Sequence, residues 1–449
     1  MTNLIRNIFF MILFSIGFSS CIYDRYPDGD ESLIDLNSTI LFLDLRALNP
    51  STMTTPAEKI KSVRVIIIGN ESNEEVPDAD DSDNPGETPA TKGIVECNRL
   101  YEFPIVNASN FSYTLTWESN LGKKSVYVIA NEKSVGGDLK TKLDQYKETE
   151  DAGDLETWLQ SYTFEPEYDT TGNTIYLPYT YFKTDFMPQA GKVNPVNCWL
   201  VPVATKFVFH FRNKRDAQVK INGISMAYAN SESYLMPNVD REAQYMEYGS
   251  ESLYWPDWLA AVSQASWDYP EFGGNEEFNQ GTGWITDYYV PKPGDADIFT
   301  FIEKDSKEAF YIDAASEVTN DDGTTETVLG SHTTNIFYLP ESINYKNPSE
   351  GSGEEQAVDD NTDDEQTQTF YLTLKIEDEG GGTPPQFENL PIPNLNALFR
   401  NTFVVIEVTF ITGDIEIYAE IAPWNQKIAH GWVSEGNAPS NNPFSIRKK

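Results

Sequence analysis

The stretch Thr39-Ile-Leu-Phe-Leu-Asp-Leu-Arg-Ala-Leu48, then Asn49-Pro50, then Glu58-Lys-Ile-Lys-Ser-Val-Arg-Val-Ile-Ile-Ile-Gly69 decides how this chain is read. In the first run Leu41, Leu43, Leu45 and Ala47 share one parity, and Asp44 and Arg46 share the other. Period-2 alternation of this kind predicts a half-buried strand. Asn49-Pro50 ends it, because proline donates no ladder hydrogen bond and restricts the residue before it. The second run is richer in valine and isoleucine and reads as a more central strand. The first strand therefore reads as an edge strand on a leash, ending in an arginine beside a loop. Such a strand can be cut away without cutting the core.

The chain's 449 residues are enough for two domains. An apolar fraction of 39%, with 13% aromatic, can build a core. The net charge of −38 argues against nucleic acid as a partner, since phosphate binding needs a basic surface. It fits a soluble, self-repelling surface protein. Residues 1–21 read as a targeting segment: Arg6, then the apolar run Ile8 to Phe18, then Ser19-Ser20-Cys21. The run is short for a spanning helix. Small residues before a cysteine resemble a bacterial lipobox, with Cys21 as the lipidated N-terminus; Phe18 departs from the usual aliphatic residue. The alternative is an ordinary signal peptide with an incidental cysteine. Residues 22–37 then form an acidic tether, which resembles surface-export signals of some Gram-negative lipoproteins.

Beyond the leader only Cys97 and Cys198 remain, either buried free thiols or a bridge. His210, His332 and His430 have no ligand spacing, so no metal or cofactor is expected. The acids from Asp78 before Gly86 lack the EF-hand spacing and read as a solvated loop rather than a calcium site. Strands are expected at 93–97, 111–117 and 124–131, with helical character at 138–146 and 154–162. A short strand or edge follows at 175–181. A second set begins near Trp199, with alternating Phe207, Phe209 and Phe211 and a hairpin turn at Asn222-Gly223. Strands at 335–339, 370–376, 401–410 and 414–424 close it. In the last, Ile415, Ile417, Ala419 and Ile421 alternate with Glu416, Tyr418 and Glu420. Many short strands and few helices predict a mainly β fold of β-sandwiches. The domains are drawn at 38–198 and 199–430, with a polar tail over 431–449.

The order of these pieces resembles the fimbrillin, or type V pilin, family of Gram-negative anaerobes. The likeness is carried by the lipobox at Cys21, the first strand followed by Glu58-Lys-Ile-Lys-Ser-Val-Arg-Val, and Lys124-Ser-Val-Tyr-Val-Ile-Ala-Asn131. It continues with Asn335-Ile-Phe-Tyr-Leu-Pro-Glu341, Leu398-Phe-Arg-Asn-Thr-Phe-Val-Val-Ile and the terminal Pro423-Trp424. The resemblance implies two transthyretin-like β-sandwich domains in tandem. It implies a lipid-anchored precursor in the outer membrane that passes into a surface fimbrium. It implies cleavage by an arginine-specific protease, for which Arg46 and Ala47 flank the candidate bond. The other arginines before the second strand's core serve less well. Arg6 lies in the leader, Arg25 in the tether, and Arg64 inside a strand. The vacated groove would take a strand from another fimbrial subunit by β-strand addition, with Ile415, Ile417, Ala419 and Ile421 as the donor positions.

Two features depart from a plain stalk subunit and favour an accessory, tip or anchor position: the aromatic stretch 254–289 and the polar tail. The aromatic stretch also supports an alternative, a surface glycan-binding lipoprotein using Trp255, Trp258 and Trp284 against a host or glycan receptor. The plainer reading is that these rings pack a long connection onto a sandwich. No Gly-x-Ser-x-Gly, His-Glu-x-x-His or phosphate loop is present, so an enzyme is not expected.

Overall fold

Alternation and β-branched runs become strands over most of the described residues. The structure is a computed structural model and describes residues 38–47, 55–70, 93–165, 176–239, 245–248, 251–254, 288–289, 298–320, 322–343, 370–378, 387–392, 395 and 397–424. The leader with Cys21, the tether, the acidic loops after residues 70 and 343, Trp255, Trp258, Trp284 and the tail lie outside the described residues.

The first half holds β1 (Ser38–Ala47), β2 (Lys59–Asn70), β3 (Gly93–Asn107), β4 (Ser112–Asn120) and β5 (Lys124–Ala130). The helices α1 (Leu139–Leu143) and α2 (Leu155–Ser161) follow, then β6 (Thr163–Phe164), β7 (Tyr179–Phe186) and β8 (Val193–Pro202). Their order across the sheet is β3-β2-β5-β7-β8-β1-β4. The β7–β8 link is made only at Tyr179–Pro202 and Thr180–Val201. The path turns there, so β8-β1-β4 packs against β3-β2-β5-β7 with one apolar core between them. Both faces of β2 and β5 are buried. Val63, Val65, Ile67, Val126 and Val128 face that core, while Ile66, Ile68, Tyr127 and Ile129 face α1 and α2 through Leu139, Leu143, Leu155 and Leu159. Continuous apolar runs such as Val-Ile-Ile-Ile are what a strand covered on both sides requires. Gly69 lets Glu96 approach: a Cβ there would stand 2.1 Å from Glu96 Oε1, which accepts from the buried Lys124 Nζ at 2.7 Å.

The second half holds β9 (Thr205–Asn213), β10 (Val219–Ala227) and β11 (Ser233–Tyr234), which pairs back onto β6. Flanking the aromatic stretch, β12 (Asn238–Val239) pairs with β15 (Tyr288–Tyr289), and β13 (Tyr245–Tyr248) with β14 (Glu251–Tyr254). Then come β16 (Ile298–Ile302), β17 (Phe310–Ile312), the exposed hairpin β18 (Ser316–Thr319) and β19 (Thr325–Val328), β20 (Gly330–Thr333) and β21 (Phe337–Leu339). The set ends with β22 (Ser342–Ile343), β23 (Tyr371–Asp378), β24 (Phe387–Pro391), β25 (Ala397–Leu398), β26 (Thr402–Ile411) and β27 (Asp414–Pro423). One sheet runs β16-β10-β23-β24, the other β20-β9-β26-β27. Phe207, Phe209, Phe211, Leu374, Ile406 and Ile417 lie in the core between them. The chain is therefore mainly β, with two sets of facing sheets; the step from one to the other falls between β8 and β9, at 203–204.

Three expectations need correction, and one open alternative is decided. The first strand is not an edge: β1 has β4 on one side and β8 on the other. Alternation reports which face is buried, not how many neighbours a strand has. Asn222-Gly223 is not a hairpin turn but sits inside β10, where the register against β23 slips between Ile221 and Gly223. That is a bulge at a glycine, and Asn222 Nδ2 donates to Asp305 and Glu377 at 2.7 Å each. The strand expected at 93–97 continues to Asn107. Cys97 and Cys198 are both free and buried, which closes the disulfide alternative.

The two halves are joined by buried polar contacts as well as apolar ones. Arg400 is fully buried and its guanidinium meets Glu341 at 2.5 Å. It also donates to the carbonyls of Leu235 at 3.1 Å and Tyr234 at 2.7 Å, and to Thr180 Oγ1 at 3.5 Å.

Candidate functional site

The site is the slot that β1 fills. Its residues Thr39, Leu41, Leu43, Leu45 and Ala47 are 0–4% exposed. On one side the backbone pairs antiparallel with β4, from Ser38–Asn120 to Arg46–Ser112. On the other it pairs parallel with β8, from Ile40–Val193 to Ala47–Leu200. The floor is the first core, with Val196, Cys198 and Leu200 from β8 beside Val65 and Val128 from the facing sheet. Cys198 lies in register with Leu45 and donates to the Val196 carbonyl at 3.6 Å. Burial raises its thiol pKa, and burial likewise pushes Cys97 up to about 12. At the strand's start, Thr39 Oγ1 donates to the Gln189 carbonyl at 3.0 Å and accepts from Asn194 Nδ2 at 2.7 Å.

Arg46 stands on the outer face, its side chain 52% exposed and paired with Asp44 at 3.0 Å. The Arg46–Ala47 bond is inside β1 rather than in the loop after it. Ala47 is buried but pairs only with β8, because the β4 ladder ends at Arg46. A protease reaching this bond needs only the strand's last residues to fray, which is the cheap end of local opening. Arg64 is the opposite case. It is 2% exposed in β2, between β3 and β5. Its guanidinium meets Glu132 at 2.5 Å and Asp144 at 2.6 Å. Burial works to lower its pKa, and the two carboxylates outweigh that, so it is raised.

The proposed donor positions lie on β27, which among the described residues pairs only with β26. Ile415, Ile417 and Ala419 are buried in the second core at 4–7% exposure. Ile421 is on the same parity, and its side chain is outside the described residues. β1 and β27 are both 10 residues long. Arg46 and the donor positions thus sit on different sandwiches, and the structure brings neither next to the other.

Two residues that matter here were not signalled by the sequence as functional. Asn131 ends β5 in the left-handed region at φ 57°. Its side chain accepts from Lys61 N at 2.9 Å and donates to the carbonyls of Lys59 and Leu177 at 2.7 Å each. It clamps the start of β2, which directly follows the connection from β1. Glu58, 1% exposed, accepts from Lys206 Nζ at 2.6 Å, Tyr338 Oη at 2.8 Å and Trp424 Nε1 at 3.3 Å. Burial lowers the Lys206 pKa, opposed by Glu58. Among the described residues no cluster of His, Cys, Asp or Glu suits a metal ion, and no helix is long and apolar enough to cross a membrane.

No known family model matches the chain, and no curated protein matches it. Several solved structures are similar. A tip fimbrial protein, Mfa3 from Porphyromonas gingivalis with C-terminal truncation, is 12% identical with a TM-score of 0.40, over 86% of this chain and 100% of that one. A fimbrial assembly protein from Parabacteroides distasonis is 11% identical with a TM-score of 0.37, over 86% of this chain and 98% of that one. Fits this loose give no residue of the present chain a role.

Proposed function

We propose that the chain is a structural or accessory (tip or anchor) subunit of a surface fimbria, exported as an outer-membrane lipoprotein anchored at Cys21. In this reading an arginine-specific protease cuts between Arg46 and Ala47, and β1 gives way to a strand from another subunit. The single observation that carries it is the asymmetry of the two strands. β1 occupies a slot with a hydrogen-bonded neighbour on each side, whereas β27 has one among the described residues. A strand that moves from a one-neighbour place to a two-neighbour place gains a whole ladder of main-chain bonds. That gain offsets the apolar contacts β27 leaves behind. Three isoleucines and Ala419 replacing three leucines and Ala47 conserve the total volume, and side-chain parity fixes which face is buried.

The test uses Cys198. With Cys97 replaced by alanine, the uncut protein should react with a thiol reagent only on global unfolding. Protease treatment should give a product beginning at Ala47. Its Cys198 should become reactive as β1 leaves, and the product should assemble into ladders on unboiled gels. Arg46→Ala, even if cut in the tether at Arg25, should keep β1 and stay unreactive and monomeric. Assembly of Arg46→Ala at the wild-type rate with β1 intact refutes the reading.

A further inference from the structure

Trp424 closes β27, yet its ring is not packed with the rest of that strand. Ile415, Ile417 and Ala419 lie in the second core, while Trp424, 2% exposed, lies in the first core with Leu45, Ala47 and Tyr338. Its indole donates to Glu58 at 3.3 Å and stacks on the Tyr338 ring at 5.9 Å between centroids. Lys206 Nζ lies 5.3 Å from the indole centroid and completes the socket. Glu58 follows the connection that leaves β1. The chain passes from buried Ala47 through residues 48–54 to Thr55, whose hydroxyl bonds that of Tyr338. Thr55 and Glu58 form one turn, with Glu58 N donating to the Thr55 carbonyl at 3.1 Å. The far end of β27 and the near end of the β1–β2 connection therefore share one buried socket.

We infer that this socket is a latch: while β1 is in place it holds Trp424 and keeps β27 on β26, and loss of β1 loosens it. The inference rests on the strand-exchange reading and adds its regulation. When residues up to Arg46 depart, Leu45 leaves the core that seats the indole, and Ala47, now a chain end with only its pairing to Leu200, no longer ties Thr55 to a paired strand. Withdrawal of Trp424 costs the buried ring and two hydrogen bonds, the indole's to Glu58 and the backbone N–H's to the Asn401 carbonyl at 2.9 Å. It strands no charge, because Glu58 keeps Lys206 and Tyr338 as partners. A single cut then opens the acceptor slot and frees the donor strand of the same subunit. An uncut subunit neither accepts nor donates, so chains do not join before processing.

Hydrogen–deuterium exchange read on the peptide covering 414–423 tests this. Cut protein freed of β1 is held dilute enough to stay monomeric. Its β27 amides should exchange at least tenfold faster than in uncut protein, and adding the peptide 38–46 should reverse the change. Peptides from β10 and β23 in the same sandwich should exchange as before. Trp424→Phe removes the indole donor, and in uncut protein it should bring β27 exchange close to the cut level. Should that variant not fold, the cut and uncut wild-type comparison still decides. Unchanged β27 exchange after β1 loss overturns the latch, as does an equal rise in β10 and β23. If assembly proceeds with β27 exchange unchanged, the latch is refuted and strand exchange stands. If β27 loosens alone and no assembly follows, the latch stands and strand exchange is refuted.

Discussion

Leu43→Ala is the substitution that interrogates the slot most directly. Leu43 is 1% exposed at the middle of β1, in register with Val196 and Leu115. Removing three carbons forfeits about 2.4 kcal/mol of transfer free energy at ~0.8 kcal/mol per methylene. Incomplete collapse of the surrounding core adds a cavity term, which brings the total to roughly 2.5–5 kcal/mol. At ~1.4 kcal/mol per decade, that is roughly 60- to 4,000-fold in the hold on the strand. Asp44→Ala is the control one residue away. It faces outward and loses only the exposed pair with Arg46, worth about 0–1 kcal/mol or at most roughly fivefold. The assay is the dissociation rate of a dye-labelled segment 22–46 after cleavage at Arg46, followed by anisotropy. Leu43→Ala should leave far faster than wild type, and Asp44→Ala at nearly the wild-type rate. Equal rates for the two variants would refute the claim that one parity of β1 supplies the binding energy.

Further predictions concern other parts of the chain. Burial, with Glu407 nearby, pushes the Glu420 carboxyl on β27 from 4.5 up to about 8. Across that interval the folded protein holds a proton that the unfolded chain has released, so stability falls as pH rises and levels off above about 8. Glu420→Gln should remove most of that slope in melting scans between about pH 5 and 8. Glu132→Ala takes the buried carboxylate from Arg64 and leaves the part-exposed Asp144 as its counter-ion; it should cost less than the roughly 3–5 kcal/mol of a wholly stranded charge in denaturant unfolding, with Arg64→Met on the same background recovering much of it. Asn131→Ala loses the clamp on β2 together with a residue tolerant of positive φ. It should destabilise by roughly 2–4 kcal/mol, more than Asn131→Gly. Cys21→Ala should abolish labelling by radioactive palmitate; equal labelling would count against the lipid anchor.

Face was legible in the sequence and neighbours were not. The alternation of Leu41, Leu43 and Leu45 announced which side of β1 is buried, because the pleat has period 2. That β1 is an interior strand depends on a parallel ladder to β8, and parallel pairing leaves no local turn signal. The Phe207-Phe209-Phe211 alternation marked the second core in the same way. Asn222-Gly223 misled because the dipeptide that opens a hairpin also suits a bulge, and only β23 alongside distinguishes them. The socket was the least legible: Glu58 and Trp424 are 366 positions apart, and their pairing depends on how two sandwiches dock. Arg400 and Glu341, both in the second half, were hidden because a buried ion pair reads in sequence like two surface charges.

The helices α1 and α2 cover the outer face of β2 and β5, and in the strand-exchange reading this bears on how long a subunit would stay usable once β1 had gone. A sheet with water on one side and a vacancy on the other would tend to fold in on itself. Here the wall opposite the slot is held from behind by Leu139, Leu143, Leu155 and Leu159, so it has little room to bow inward. The opening keeps its width while it waits. In the strand-exchange reading, growth of the fibre is then paced by arrival and threading of the incoming strand rather than by refolding of the receiver.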